Sequence, residues 1–275
     1  MSTTLPSLFV SHGSPMIALE PGAAGHFLER LGPAVDRAFG RPQAVLGLSA
    51  HTLARSPVAL AAPRHEAVYD FGNFDPRLFT LRYDAPGAPA LAERVAALTG
   101  AHSVPEGGLD HGLWTALRYL YPAADIPVLP MAWPAHASPA ALFALGQTLS
   151  VLADEGVLIV GSGSITHNLR RVFAQGMHSS VEQPEITESA AFRAWMHERA
   201  AARDWDALFA YRSTAPHALD MHPSDEHLLP WFIAAGAGGR AAAPQRLHAS
   251  VTYGALGMDA YAFGASAAQL AAALG

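Results

Sequence analysis

The sequence predicts an α/β fold over residues 1–275: a single domain with a mostly parallel central sheet, helices on both faces, and a site at the carboxyl ends of the strands. Two observations carry that prediction. Short apolar runs bounded by glycine, proline or small polar residues alternate with longer segments of helical spacing, the pattern of a sheet covered on both sides. Three of the runs, "LFVSHGS", "VLGLSAH" and "LIVGSGSITH", each deliver one histidine just past the strand. Strand ends of one parallel sheet open onto one crevice, where α/β proteins bind ligands.

Taken in order, residues 8–10 form a strand that Gly13 and Pro15 stop. Residues 23–39 carry helical spacing through Phe27, Leu31, Val35 and Phe39. "AVLGLSAH" is a second buried strand and "PVALAAP" a third. The stretch "EAVYDFGNFDPRLFTLRYDAPGAP" has no clean period and reads as a long ordered loop, a kind of segment that usually serves function. A helix follows over 88–98. Asp110 is an N-cap for a helix running to Pro122, which puts His111 in its first turn. "IPVLPMAW" and "GVLIVGSGS" are strands, with a helix over 139–155 between them. Residues 186–202 and 205–211 read as helices. In "HPSDEHLLPWFIAAGAG", Ser224 is the expected N-cap and His227 the third helical position. Two final strands, joined near Gly254–Gly257, complete the chain.

Composition narrows the function. With 51% hydrophobic and 15% charged residues the chain is globular, and 275 residues bury a sizeable core, roughly three quarters of the unfolded surface. Absence of cysteine removes disulfides, thiolate metal sites and a cysteine nucleophile, and fits a reducing compartment. A net charge of −6 argues against nucleic acid, which needs a basic stripe. Arg170 and Arg171, the sole adjacent basic pair, read as a solvated helix end. No apolar run is long enough to span a membrane and no charged leader precedes one, so a cytoplasmic protein is expected. An oligomer is allowed.

Fourteen histidines raise the question of which converge. His26, His65, His102, His136, His178, His197 and His248 stand at no strand end or small-residue turn and read as ordinary hydrogen-bonded groups. His12, His51 and His167 differ: small neighbours let a metal or substrate approach the backbone, and neutral imidazole suits iron, zinc and copper. "GSGS" is not a dinucleotide turn, because the third glycine position is Thr166. No Gly-x-Ser-x-Gly elbow occurs.

The motifs "SHGSPM", "SAH", "YDFGNF", "LRYDAPGAP", "LDHGLWTALRYLYPAADIPVLPM", "GSGSITHNLR" and "HPSDEHLLP" run in order through residues 8–263. Together they resemble the class III extradiol ring-cleavage dioxygenases, in the branch similar to DOPA 4,5-dioxygenase. The resemblance implies one non-haem metal per chain, Fe2+ or Zn2+, and a small catechol cleaved with O2 to a semialdehyde. It implies His12, His51 and His227 as metal ligands, with His227 standing where the broader class has glutamate. His167 is implied as the active-site base or a fourth ligand, and His111 as an acid/base group. His222 also matches, and with Tyr69, Asp70 and Phe71 it is an expected substrate contact; Phe74 belongs to the same aromatic loop, whose rings either line the pocket or anchor the loop. One departure is Thr52, which follows His51 where relatives commonly have tryptophan.

In such a site the metal acidifies one catechol hydroxyl and a histidine takes the second proton. Rival readings are a zinc hydrolase on His12, His51 and His227 with Glu226 as its base, an inactive interaction protein of the same fold, and a sugar or nucleotide enzyme. The last lacks phosphate-binding glycines.

Overall fold

The computed structural model describes residues 4–174 and 180–275; His178 lies outside them. Eight strands make the main path of the sheet: β1 (Ser7–Ser11), β2 (Ala44–Ser49), β3 (Val58–Leu60), β4 (His102–Val104), β5 (Val128–Pro134), β6 (Val157–Gly163), β7 (Gln245–His248) and β8 (Ala260–Phe263). Their order is β7-β8-β1-β6-β2-β5-β3-β4, and the two-residue segment Leu53–Ala54 adds a ninth strand beside β5. The centre β1-β6-β2-β5 is parallel throughout. The flanks are mixed: β8 is antiparallel to both β1 and β7 on one side, and β3 is antiparallel to β5 on the other.

The central strands are buried along their whole length, as continuous apolar runs of a two-sided sheet must be. Residues alternate between the two faces. Leu8, Val10, Val45, Leu158 and Val160 pack with the helices Gly22–Phe39, His111–Leu120 and Ala267–Leu274. Phe9, Leu46, Leu48 and Ile159 pack with the helices Pro89–Thr99, Pro139–Leu149, Thr187–Ala202 and Leu229–Gly238. No helix among the described residues is long and apolar enough to cross a membrane.

Several expectations shift. The helix expected over 139–155 ends at Leu149 and passes into a 3-10 turn, Ser150–Ala153. That expected over 205–211 ends at Phe209, before a separate turn at Tyr211–Thr214. The helix after "HPSDEH" begins only at Leu229. His227 therefore sits in the turn before it, and Ser224 caps nothing, its hydroxyl bonding Glu226. The Asp225 carbonyl instead accepts from the backbone N–H groups of Leu228 and Leu229. A C-terminal helix, Ala267–Leu274, was not anticipated. The aromatic loop remains a loop, pinned by a 3-10 turn at Pro76–Thr80 and the short pair Arg64–His65 with Ala85–Pro86.

Candidate metal centre

β1, β2 and β6 are parallel neighbours, so His12, His51 and His167 emerge at the same end of the sheet. Asp110 caps the helix His111–Leu120 as expected, accepting from the Leu113 N–H, and this delivers His111 to the same place. Its carboxylate also accepts from the hydroxyls of Ser49 at 2.6 Å and of Thr52, clamping the segment that carries His51. Thr52 thus serves as a tether.

Glycines set the close approaches. A Cβ on Gly163 would lie 1.9 Å from the His227 carbonyl oxygen, so only glycine lets β6 receive that turn. The Ser164 N–H then donates to this same carbonyl at 2.9 Å. A Cβ on Gly112 would meet the Ser49 hydroxyl at 2.5 Å and the His12 ring at 2.9 Å.

Five histidine rings gather. One ring nitrogen each of His12, His51 and His111 lies within 4.8 Å of the others, a set that could hold a metal ion. The Nε2 atoms of His12 and His51 are 3.1 Å apart, close to the separation of two nitrogens bound about 2.1 Å from one ion. The His227 ring centroid stands 5.4 Å from that of His12 and 4.9 Å from that of His51. His167 stacks on His227 at 3.4 Å.

Tautomers follow from the partners. The Ser162 hydroxyl donates to the Gly112 carbonyl, so it must accept from His12 Nδ1–H at 3.0 Å. His111 Nδ1 donates to Asp70 at 2.9 Å, and His227 Nδ1 to Glu226 at 3.2 Å. In all three rings Nε2 is left with its lone pair, the arrangement of metal-binding imidazoles oriented by acceptors. His167 is reversed: Nε2 donates to the Gly13 carbonyl at 3.1 Å, which leaves the lone pair on Nδ1.

Burial and the neighbouring imidazoles push His12 and His227 well below the usual histidine range. Burial, with His111 beside it, takes His51 to about 3; burial and His222 do the same for His167. At neutral pH these four are unprotonated, the form that ligates or accepts a proton. Burial alone would raise Asp70, but the hydrogen bonds from His111 outweigh it and hold the carboxylate below its ordinary value.

A cavity of about 430 Å3 opens over the cluster. Asp70, Phe71, Phe74 and Arg170 line it, with His51, His111, His167 and His227 at its wall. Two expected substrate contacts do not reach it. Tyr69 donates its hydroxyl to the Leu81 carbonyl and packs on Phe71, Phe79 and Trp114, anchoring the loop. His222 is fully buried, and its Nε2 donates to the Ile165 carbonyl at 2.8 Å, supporting the turn that carries His167. Asp70 reaches the cavity chiefly as the holder of His111. Ser162, Gly163 and Glu226 acquire roles in orienting histidines that the motifs alone did not give; for Ser162 the signal was alternation, which turns it to the His12 face of β6.

The family model described as the catalytic LigB subunit of aromatic ring-opening dioxygenase matches residues 6–264. The chain is 34% identical over 270 residues to a 4,5-DOPA dioxygenase extradiol of Beta vulgaris, covering 94% of this chain and 96% of that one. It is 31% identical over 270 residues to the protein of that name from Portulaca grandiflora, covering 94% and 95%. Among solved structures, an uncharacterized protein of Escherichia coli K12, JW3007, superposes with a TM-score of 0.75 at 28% identity, covering 94% of this chain and 100% of that chain. With the family's model spanning nearly its whole length, the chain belongs to the LigB family of aromatic ring-opening dioxygenases.

Proposed function

We propose that this enzyme cleaves a catechol-type, DOPA-like substrate with O2 in the extradiol sense to a semialdehyde, using one Fe2+ or Zn2+ held by His12, His51 and His227. The observation that carries the reading is the convergence of imidazoles whose Nδ1 atoms are committed to acceptors. The motif that carries it makes His227 the third ligand, and its ring spacing is compatible with that place, while the nitrogens lying within 4.8 Å of one another are those of His12, His51 and His111. An imidazole centroid lies roughly 3.2 Å from an ion bound at about 2.1 Å, so two ligand rings on one ion at ordinary angles have centroids about 5 Å apart. The rings of His12, His51 and His227 are 5.2, 5.4 and 4.9 Å apart. Those of His51 and His111 are closer, 3.9 Å apart.

When bound, the metal would supply acidity to a catechol hydroxyl and, as iron, a route for electrons to dioxygen. His167 takes the second catechol proton at Nδ1, its other nitrogen being fixed to Gly13. His111, turned by Asp70, presents Nε2 to hold and return a proton during ring opening. Phe71 and Phe74 wall the ring side of the cavity against water. Glu226 is occupied by Ser224 and His227, so the base a zinc hydrolase needs is not free.

The test is anaerobic loading with Fe2+ or Zn2+, then a catechol panel followed by oxygen uptake and mass spectrometry. One metal per chain and a ring-opened semialdehyde are expected. Alanine at His12, His51 or His227 should release the metal, whereas His167→Ala should retain it and lose turnover by about a hundredfold or more. A muconate product, or full metal retention in all three ligand variants, would overturn the reading.

A further inference from the structure

We propose that Arg170 binds a carboxylate on the substrate's side chain, so that the enzyme prefers catechols with an anionic tail. The inference rests on the ring-cleavage reading above and concerns the end of the substrate remote from the histidines. Among the described residues, Arg170 is the one lysine or arginine lining the cavity. It stands three residues beyond His167 and is exposed. Among the described residues its side chain has no hydrogen-bond or ion-pair partner.

Its place in the cavity makes that lack of a partner informative. Arg171, next in the chain, is tied to Asp220 and Glu188. Arg212 is tied to Asp225, in the turn that carries His227. Both acids of the cavity wall are likewise engaged, Asp70 by His111 and Glu226 by Ser224 and His227. The group left without a complement is therefore a guanidinium, whose planar fork matches a carboxylate. A ring with its hydroxyls at the histidines and one face against Phe71 would place a tail toward the rest of the lining, where Arg170 is the sole cation. Arg170 is a specificity residue in this account, since it touches the tail and not the reacting atoms.

The experiment uses the metal-loaded enzyme and three catechols that differ only in tail charge: 3-(3,4-dihydroxyphenyl)propanoate, its neutral amide, and dopamine. Wild type should favour the propanoate. In Arg170→Gln the ratio of kcat/KM for propanoate over amide should fall about tenfold, chiefly through KM. Arg170→Lys should recover part of that ratio, and Arg170→Glu should turn the preference toward dopamine. Calorimetric titration of the zinc-loaded protein without oxygen should show the same change in relative affinity. Equal loss on all three compounds, or an unchanged ratio, overturns the proposal. If wild type binds the three compounds and cleaves none, the ring-cleavage reading fails, and calorimetry still decides whether Arg170 selects the anionic tail.

Discussion

Ser162 has one hydroxyl proton, and where it goes decides the tautomer of His12. The Gly112 carbonyl can only accept, so the proton points there, and the serine oxygen accepts from His12 Nδ1. Removing the hydroxyl leaves His12 Nδ1–H without its acceptor in a buried site. Ser162→Ala should therefore weaken metal binding by about ten- to a hundredfold, the usual effect of losing an orienting partner, while the fold persists. Competition against a chelator measures it, and unchanged affinity would show that His12 needs no such partner. The five histidines were legible because each sits in a distinctive motif. Ser162 was not, because alternation gives only its face, and its role depends on a carbonyl fifty residues away.

At the scale of elements, the turn bearing His227 shows how packing overrides a local signal. Serine three residues before the histidine read as a cap, yet the helix starts at Leu229 because the Asp225 carbonyl satisfies its first N–H groups. This keeps His227 outside the helix, with its carbonyl against Gly163. The glycine pair in "GSGS" answers to that contact: Gly161 and Gly163 both face the start of the helix Leu229–Gly238, and added Cβ atoms would meet the Pro230 and His227 carbonyls. Backbone oxygens cannot rotate away as a side chain can. Gly163→Ala should cost about 1–3 kcal/mol of stability, the range for overpacking, and should reduce metal content by displacing His227. Gly72→Ala, where a Cβ meets nothing within 4 Å, is the steric control. Urea midpoints and elemental analysis of both variants check the prediction; equal behaviour of the two would remove Gly163 from the positioning of His227.

Over the whole molecule, the parallel centre of the sheet was readable because buried strands leave continuous apolar runs, each followed by a small-residue turn. The antiparallel flanks were not, since the pairing of β8 with β1 joins residues about 250 positions apart, set by packing and not by local pattern. The same burial that builds this centre makes the fold sensitive to acid. His222, fully buried with Nε2 donating to Ile165, is held by burial at about 4, and His248 is also lowered to about 4. In the unfolded chain both titrate near 6.5, so between 6.5 and 4 the unfolded state carries more protons than the folded one. Stability is thus fully present above pH 6.5 and is lost as pH falls toward 4. For His222 the full loss is about 3 kcal/mol, at 1.36 kcal/mol per pH unit between the two values. The lowered histidines of the candidate metal centre add in the same direction in the metal-free protein. Asp110 and Asp259, raised by burial, act oppositely, but the buried histidines outnumber them. Urea unfolding of the metal-free protein should give a lower midpoint at pH 5.0 than at pH 7.5, and His222→Gln, whose amide can still donate to Ile165, should lessen the difference. A midpoint independent of pH across that interval would mean that the buried imidazoles take up protons without opening the fold.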